Sequence, residues 1–177
     1  HITGFRMRFQ QMEMAQAIAD TIAKHQILVA EAGTGTGKTL AYLVPALLAG
    51  GKVIISTGTK TLQDQLFKRD IPNVRAALKV PVTSALLKGR ANYICHYHLE
   101  RSLQDTHMSF INREEIQYLQ QIESYAHISK EGDKSGLSEV PENAAIWQQV
   151  TSTRDNCLGS ECPDYKKCFV MEARKQA

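Results

Sequence analysis

The stretch "EAGTGTGKT", residues 31–39, lies between two apolar runs, "QILVA" before it and "LAYLVPALLA" after it. Residues 32–39 fit the pattern G-x-x-x-x-G-K-[ST] at every fixed position except the first, where Ala32 stands for glycine. Gly33, Gly35 and Gly37 let the backbone turn its N–H groups inward around an anion, with Thr34 and Thr36 between them. Lys38 can then reach the β- and γ-phosphates of a nucleotide and Thr39 can bind Mg²⁺ through its hydroxyl, while the helix that follows aims its positive end at the same anion. A purely structural glycine-rich turn is the alternative, and the strand-turn-helix context argues against it.

Working outward, Met12, Ala15, Ile18, Ala19 and Ile22 recur at helical spacing and predict a helix over residues 10–24. "QILVAEAG" and "KVIIST" read as short buried strands. "LAYLVPALLA" reads as a helix with Pro45 inside it and Gly50-Gly51 as its stop, and "KTLQDQLFKRDI" as a second helix with Leu62, Leu66 and Phe67 as its apolar stripe. Strand, helix, strand, helix with short connections predicts right-handed crossovers and a parallel sheet covered by helices, an α/β nucleotide-binding core.

A phosphate loop hydrolyses nothing alone, because it needs a carboxylate at the end of a neighbouring strand to hold Mg²⁺ and position water. No apolar run ending in Asp or Glu follows residue 57. The chain also begins at His1 and stops at "MEARKQA" without a turn signal, so it reads as part of a longer protein. The expectation is weak nucleotide binding without turnover.

Composition sets outer bounds. At 177 residues with 43% hydrophobic and 22% charged side chains, the chain is long enough for a core of its own and unlike a disordered, collagenous or disulfide-stapled sequence. It has neither a membrane-spanning apolar run nor a signal-peptide core, which predicts a cytoplasmic protein with no membrane partner. The net charge of +3 hides an asymmetry: residues 52–104 carry nine cationic and three anionic side chains, residues 105–153 three and eight. The basic stretch suits a polyanion or, more simply, a solvated face.

Beyond "VPVTSALLKGR" the pattern becomes polar, with a helix-like "REEIQYLQQIESYAHI" and a loop "SKEGDKSGLSEVPEN". This region is flanked by cysteines: Cys95 on one side, and Cys157, Cys162 and Cys168 in "RDNCLGSECPDYKKCF" on the other. Four cysteines in a cytoplasmic nucleotide-binding chain point to metal ligation rather than disulfides. Zn²⁺ and an iron–sulfur cluster both suit four thiolates, and the lack of a C-x-x-C knuckle leans slightly away from zinc. Four unrelated buried thiols, or ligation by His96 or His98, are the lesser alternatives.

"EAGTGTGKT", "LLKGRANYIC" and "NCLGSECPDYKKCF" stand in the order used by the DinG/XPD-type iron–sulfur DNA helicases of superfamily two, and the chain resembles the bacterial DinG and YoaA branch of that family. Arg8, Gln11 and Met14 look like its adenine-reading Q motif, and "STGTKTLQDQL" like its motif Ia, which touches a single-strand backbone. The resemblance implies a RecA-like first motor domain over residues 1–88 and a mostly helical insertion over 89–177 that holds a [4Fe–4S] cluster through Cys95, Cys157, Cys162 and Cys168. ATP and Mg²⁺ would be held by Arg8, Gln11 and residues 33–39, with Lys38 and Thr39 in the catalytic positions. The DEAH motif and second motor domain are not in this sequence. The whole protein would move 5′ to 3′ along single-stranded DNA in repair or replication, near the nucleoid and with a partner from those processes.

Thr57, Thr59, Lys60, Lys88 and Arg90 are the side chains that can meet phosphates of such a strand. Tyr93 and Tyr97 could stack on bases or pack beneath the cluster. Two other readings stay open on the residues themselves: a P-loop NTPase with a structural zinc module, and a metal-stabilised module that senses nucleotide without turning it over.

Overall fold

The computed structural model of the chain describes residues 8–105 and 112–177. The chain divides into two compact units, His1–Ser84 and Ala85–Ala177.

In the first unit, α1 (Phe9–Ala23) packs along α2 (Lys38–Ala49). Half-buried Ala15 and Ile18 lie on the apolar stripe of α1. The second helix starts at Gly37, whose φ of 86° is left-handed, runs on through buried Pro45 and stops at Gly50 and Gly51, both again at positive φ. Thr59 caps α3 (Lys60–Gln65), its hydroxyl accepting the Leu62 N–H at 3.2 Å. A π-helical turn, Leu66–Asp70, joins α3 to α4 (Ile71–Leu78). Eight α-helical steps separate two residues by about 80° around the axis, and the one extra residue of a π-turn removes about 100° of rotation. Leu66 and Val74 are eight positions apart across that turn, and both are buried in one cluster with Leu43.

The predicted parallel sheet is absent from the described residues, which contain isolated bridges but no strand. Residues 26–30 and 52–57 carry no secondary-structure assignment, and Ile27, Val29 and Ile54 are 95%, 94% and 85% exposed. A parallel strand exists only through hydrogen bonds to neighbours on its edges, and these two segments are not paired with each other or with any other described segment.

The second unit is helical: α5 (His96–Gln104), α6 (Arg113–Ile128), α7 (Ile146–Val150) and α8 (Phe169–Gln176). Asn112 caps α6 through its side-chain oxygen, 2.8 Å from the Glu115 nitrogen, and Glu114 and Glu115 place negative charge on its first turn. One continuous core, with Ile94, Leu119, Ile122, Ile146, Trp147 and Val150 at its centre, fills the space between the helices. The segment before α5 is tied to distant chain by Tyr93↔Asp133 and Ile94↔Thr151 bridges and by hydrogen bonds from Ile94 N to Gly132 O and Cys95 N to Val150 O, both 2.8 Å. Gly132 has a φ of 60°, and a Cβ there would sit 2.1 Å from the Phe169 ring. Among the described residues no helix is long and apolar enough to cross a membrane.

Candidate functional site

The phosphate loop has the geometry its glycines predict. Gly35 and Gly37 take positive φ (79° and 86°), and the Thr36 hydroxyl donates to Gly33 O at 2.9 Å, closing the turn. Lys38 stands on the first turn of α2 with its ammonium over the loop, donating to Gly33 O at 3.1 Å and also to Ala32 O. Thr39 follows it on the same turn, at the positive end of the helix.

Gln11 is brought to this loop from α1. It is 8% exposed, and its side-chain nitrogen donates to Gly37 O at 2.9 Å. Glycine is required at 37 by its left-handed φ of 86°, and a Cβ there would also displace the Gln11 amide from its bond to Gly37 O. Arg8 is exposed at the N-cap of α1, one helical turn before Gln11.

In the second unit, Cys95, Cys157, Cys162 and Cys168 are all free thiols and all line one cavity of about 210 Å³. Cys95 is the N-cap of α5 and Cys168 the N-cap of α8, while Cys157 and Cys162 flank a 3₁₀ turn, Gly159–Glu161. Among the described residues, no three His, Cys, Asp or Glu side chains converge closely enough to hold a single metal ion.

Within the cavity wall, the surroundings of Cys157 favour negative sulfur and those of Cys95 oppose it. Arg90 Nη1 donates to Cys157 Sγ, and the Gly159 N–H approaches the same sulfur at 3.4 Å. Burial pushes the Cys95 thiol up, and Cys162 and Cys168 push it further by repulsion between thiolates. The backbone N–H groups of His98 and Tyr97, at the start of α5, act the other way. Burial holds His96 below the usual imidazole range, and its ring lies 4.6 Å from that of Phe169.

The residues read as phosphate contacts fall into two groups. Thr57, Thr59 and Lys60 lie together at the start of α3: the Thr57 hydroxyl donates to Thr59 O at 3.2 Å, Thr59 caps the helix, and Lys60 is exposed. Lys88 and Arg90 face inward. The Lys88 side chain is 2% exposed and its ammonium meets Asp133 Oδ2 at 2.7 Å, so this cation is taken up by the fold. Burial works to raise the Asp133 carboxyl, but the Lys88 ammonium and the Ser135 N–H and hydroxyl hold it below the ordinary value. Tyr93 is buried, its hydroxyl accepting the Lys88 N–H at 2.9 Å, whereas Tyr97 lines the cavity and accepts from Arg101 at 2.9 Å.

Asp133 was invisible to sequence reasoning, since a lone carboxylate in an acidic stretch gives no sign of its partner 45 positions away. His98 proved to be part of the cavity wall. The only signal in the sequence was its place three residues after Cys95.

Residues 11–128 match the DEAD/DEAH box helicase family. The chain belongs to that family. Membership implies a P-loop NTPase fold, in keeping with the loop around Lys38. The chain is 51% identical over 177 residues to the ATP-dependent DNA helicase YoaA of Escherichia coli, covering 99% of this chain and 27% of the relative. It is 46% identical over 177 residues to YoaA of Haemophilus influenzae, covering all of this chain and 27% of that protein. It is 36% identical over 194 residues to the ATP-dependent helicase DinG of Mycobacterium tuberculosis, covering 98% of this chain and 29% of that protein. Within the DEAD/DEAH box helicases it is therefore of the DinG/YoaA type. The chain spans little more than a quarter of the length of these relatives.

Proposed function

We propose that this chain is the nucleotide-binding and cysteine-bearing part of an ATP-dependent helicase that moves 5′ to 3′ on single-stranded DNA during repair or replication. The observation that carries the reading is the four-cysteine cavity in a chain that also holds a phosphate loop, because the loop alone is shared by many unrelated NTPases. Residues 33–39 would cradle the phosphates of ATP, Thr39 would hold Mg²⁺, and Gln11 and Arg8 would meet the base from the start of α1. Gln11, already fixed to Gly37, would link base recognition to the shape of the loop. Residues 26–30 and 52–57 would become strands of a parallel sheet on pairing with the neighbours they lack here.

Cys95, Cys157, Cys162 and Cys168 fit a [4Fe–4S] cluster better than a single zinc ion. The four cysteines line one cavity and include no C-x-x-C pair of the kind common at zinc sites. When bound, such a cluster supplies a rigid four-point cross-link and a one-electron centre. The chain's own residues do the rest: Arg90 and the backbone N–H groups at the start of α5 stabilise negative sulfur, and α8 and the core fix the cysteine loops. Contact with the DNA strand falls to Thr57, Thr59 and Lys60, with Arg90 bound to the cluster side. The 177 residues alone would bind nucleotide without turnover, for want of a strand-end carboxylate.

The test uses the full-length protein purified without oxygen. It should be brown, contain iron and sulfide in equal amounts, and lose DNA-stimulated ATP hydrolysis by at least about 100-fold on Lys38→Ala, the scale on which one electrostatic group at a reacting centre acts. A colourless protein with one zinc ion would overturn the cluster, and unchanged hydrolysis in the variant would overturn the phosphate loop.

A further inference from the structure

The wall of the four-cysteine cavity contains a polar atom with nothing to bond. His98 Nε2 is fully buried and has no hydrogen-bond partner among the described residues, and His98 lines the cavity with all four cysteines. A buried ring nitrogen left unpaired is costly, so a group that satisfies it belongs in that space. The ring has little freedom to find another acceptor. It stands on the first turn of α5 and packs edge-on against Tyr97, with centroids 5.3 Å apart.

The same wall shows which chemistry fits. Arg90 Nη1 and the Gly159 N–H both approach Cys157 Sγ, so N–H groups directed at sulfur are already the pattern here. Asp164 Oδ2, the other unpartnered buried atom lining the cavity, can only accept, so it duplicates no part of what His98 offers.

We infer that His98 carries its proton on Nε2 and donates it as a hydrogen bond to a sulfur of the centre held by Cys95, Cys157, Cys162 and Cys168. It is a positioning residue that tunes the centre and is not a ligand to it. The inference rests on the iron–sulfur reading above, in which four thiolates already supply one ligand to each iron. An N–H donor withdraws negative charge from sulfur and stabilises the reduced, more negative state, so it raises the reduction potential and slows loss of the metal.

The experiment uses the anaerobically purified full-length protein and its His98→Leu and His98→Gln variants. His98→Leu should lower the reduction potential and speed release of iron to a chelator by about 10-fold or more. His98→Gln, which keeps a donor near the same place, should restore most of both. In protein labelled only at the imidazole nitrogens of histidine, the electron spin of the reduced centre should show a weak nitrogen coupling that disappears in His98→Gln, where His96 is still present. A purely structural role would lower iron yield while leaving the potential of the remaining centres unchanged, and that result overturns the inference. So does a labelled wild-type protein without the coupling, or with one that survives in His98→Gln. Should His98→Leu hold no centre at all, the coupling decides. A wild-type protein without iron overturns the iron–sulfur reading and this inference together, whereas iron with unaltered potential and coupling overturns only the inference.

Discussion

The two units of this chain handle their apolar residues in opposite ways. The second gathers thirteen buried hydrophobic residues into one cluster between α5, α6, α7 and α8. The first buries Leu43, Leu66 and Val74 together and leaves Phe9, Ile27, Val29 and Ile54 between 77% and 95% exposed. The difference follows from how each unit satisfies its backbone. A helix bonds to itself and needs only a partner for one face, whereas an extended segment needs a neighbouring strand to satisfy its backbone before its side chains can be buried. The second unit is built from helices plus two isolated bridges, and so closes its own core. In the first, the two segments read as strands, residues 26–30 and 52–57, have no such neighbours among the described residues.

The sharpest way to break that comparison is to spoil the closed unit from within. Gly132→Ala adds a Cβ 2.1 Å from the buried Phe169 ring at a residue with left-handed φ, and should cost about 5 kcal/mol, enough to melt the second unit in a thermal or urea unfolding experiment. Asp133→Asn should come next. It removes the carboxylate charge 2.7 Å from the buried Lys88 ammonium, a loss of about 3–5 kcal/mol.

The same carboxylate makes the second unit sensitive to acid. Its folded value lies below the unfolded value of 3.8, so its contribution is complete above the unfolded value and is lost as pH falls through the folded one. Unfolding measured across that range should show a pH-dependent loss in the parent that is weaker in Asp133→Asn. At the small end, Ile54→Ser should change the stability of this chain by less than about 0.5 kcal/mol, because Ile54 is already 85% exposed. A loss of several kcal/mol there would mean that the first unit has its strands paired after all.

What could be read from the sequence divides along similar lines. The helices α1, α2 and α6 stood out because each repeats apolar residues every three to four positions or ends on a clear signal such as Gly50-Gly51. The short helix α7 has five residues, too few for a period to register, and α5 begins with the polar run His-Tyr-His. The extended segments were read from composition, but composition reports a preference for burial and not the presence of a partner. At the sites, the phosphate loop was legible because its chemistry is local: Gly35, Gly37 and Lys38 lie within four residues. The inward turn of Lys88 and Arg90 was not, because a cation reads as solvated until Asp133 or Cys157 is brought to it from 45 or 67 positions away. The lone pairing of Gln11 with Gly37 was hidden for the same reason.

The backbone ties around Cys95 also bear on how the four cysteines come together. Cys157, Cys162 and Cys168 lie within twelve residues, while Cys95 is 62 positions before the first of them. Closing the longer loop costs about 1.5 kcal/mol more chain entropy than closing one the size of the local trio. The Ile94↔Thr151 bridge and the hydrogen bond from Cys95 N to Val150 O have already closed most of that distance. The polypeptide therefore brings Cys95 toward the other three cysteines through its own packing, so the proposed metal centre would meet a partly closed loop instead of having to gather a loose chain around itself.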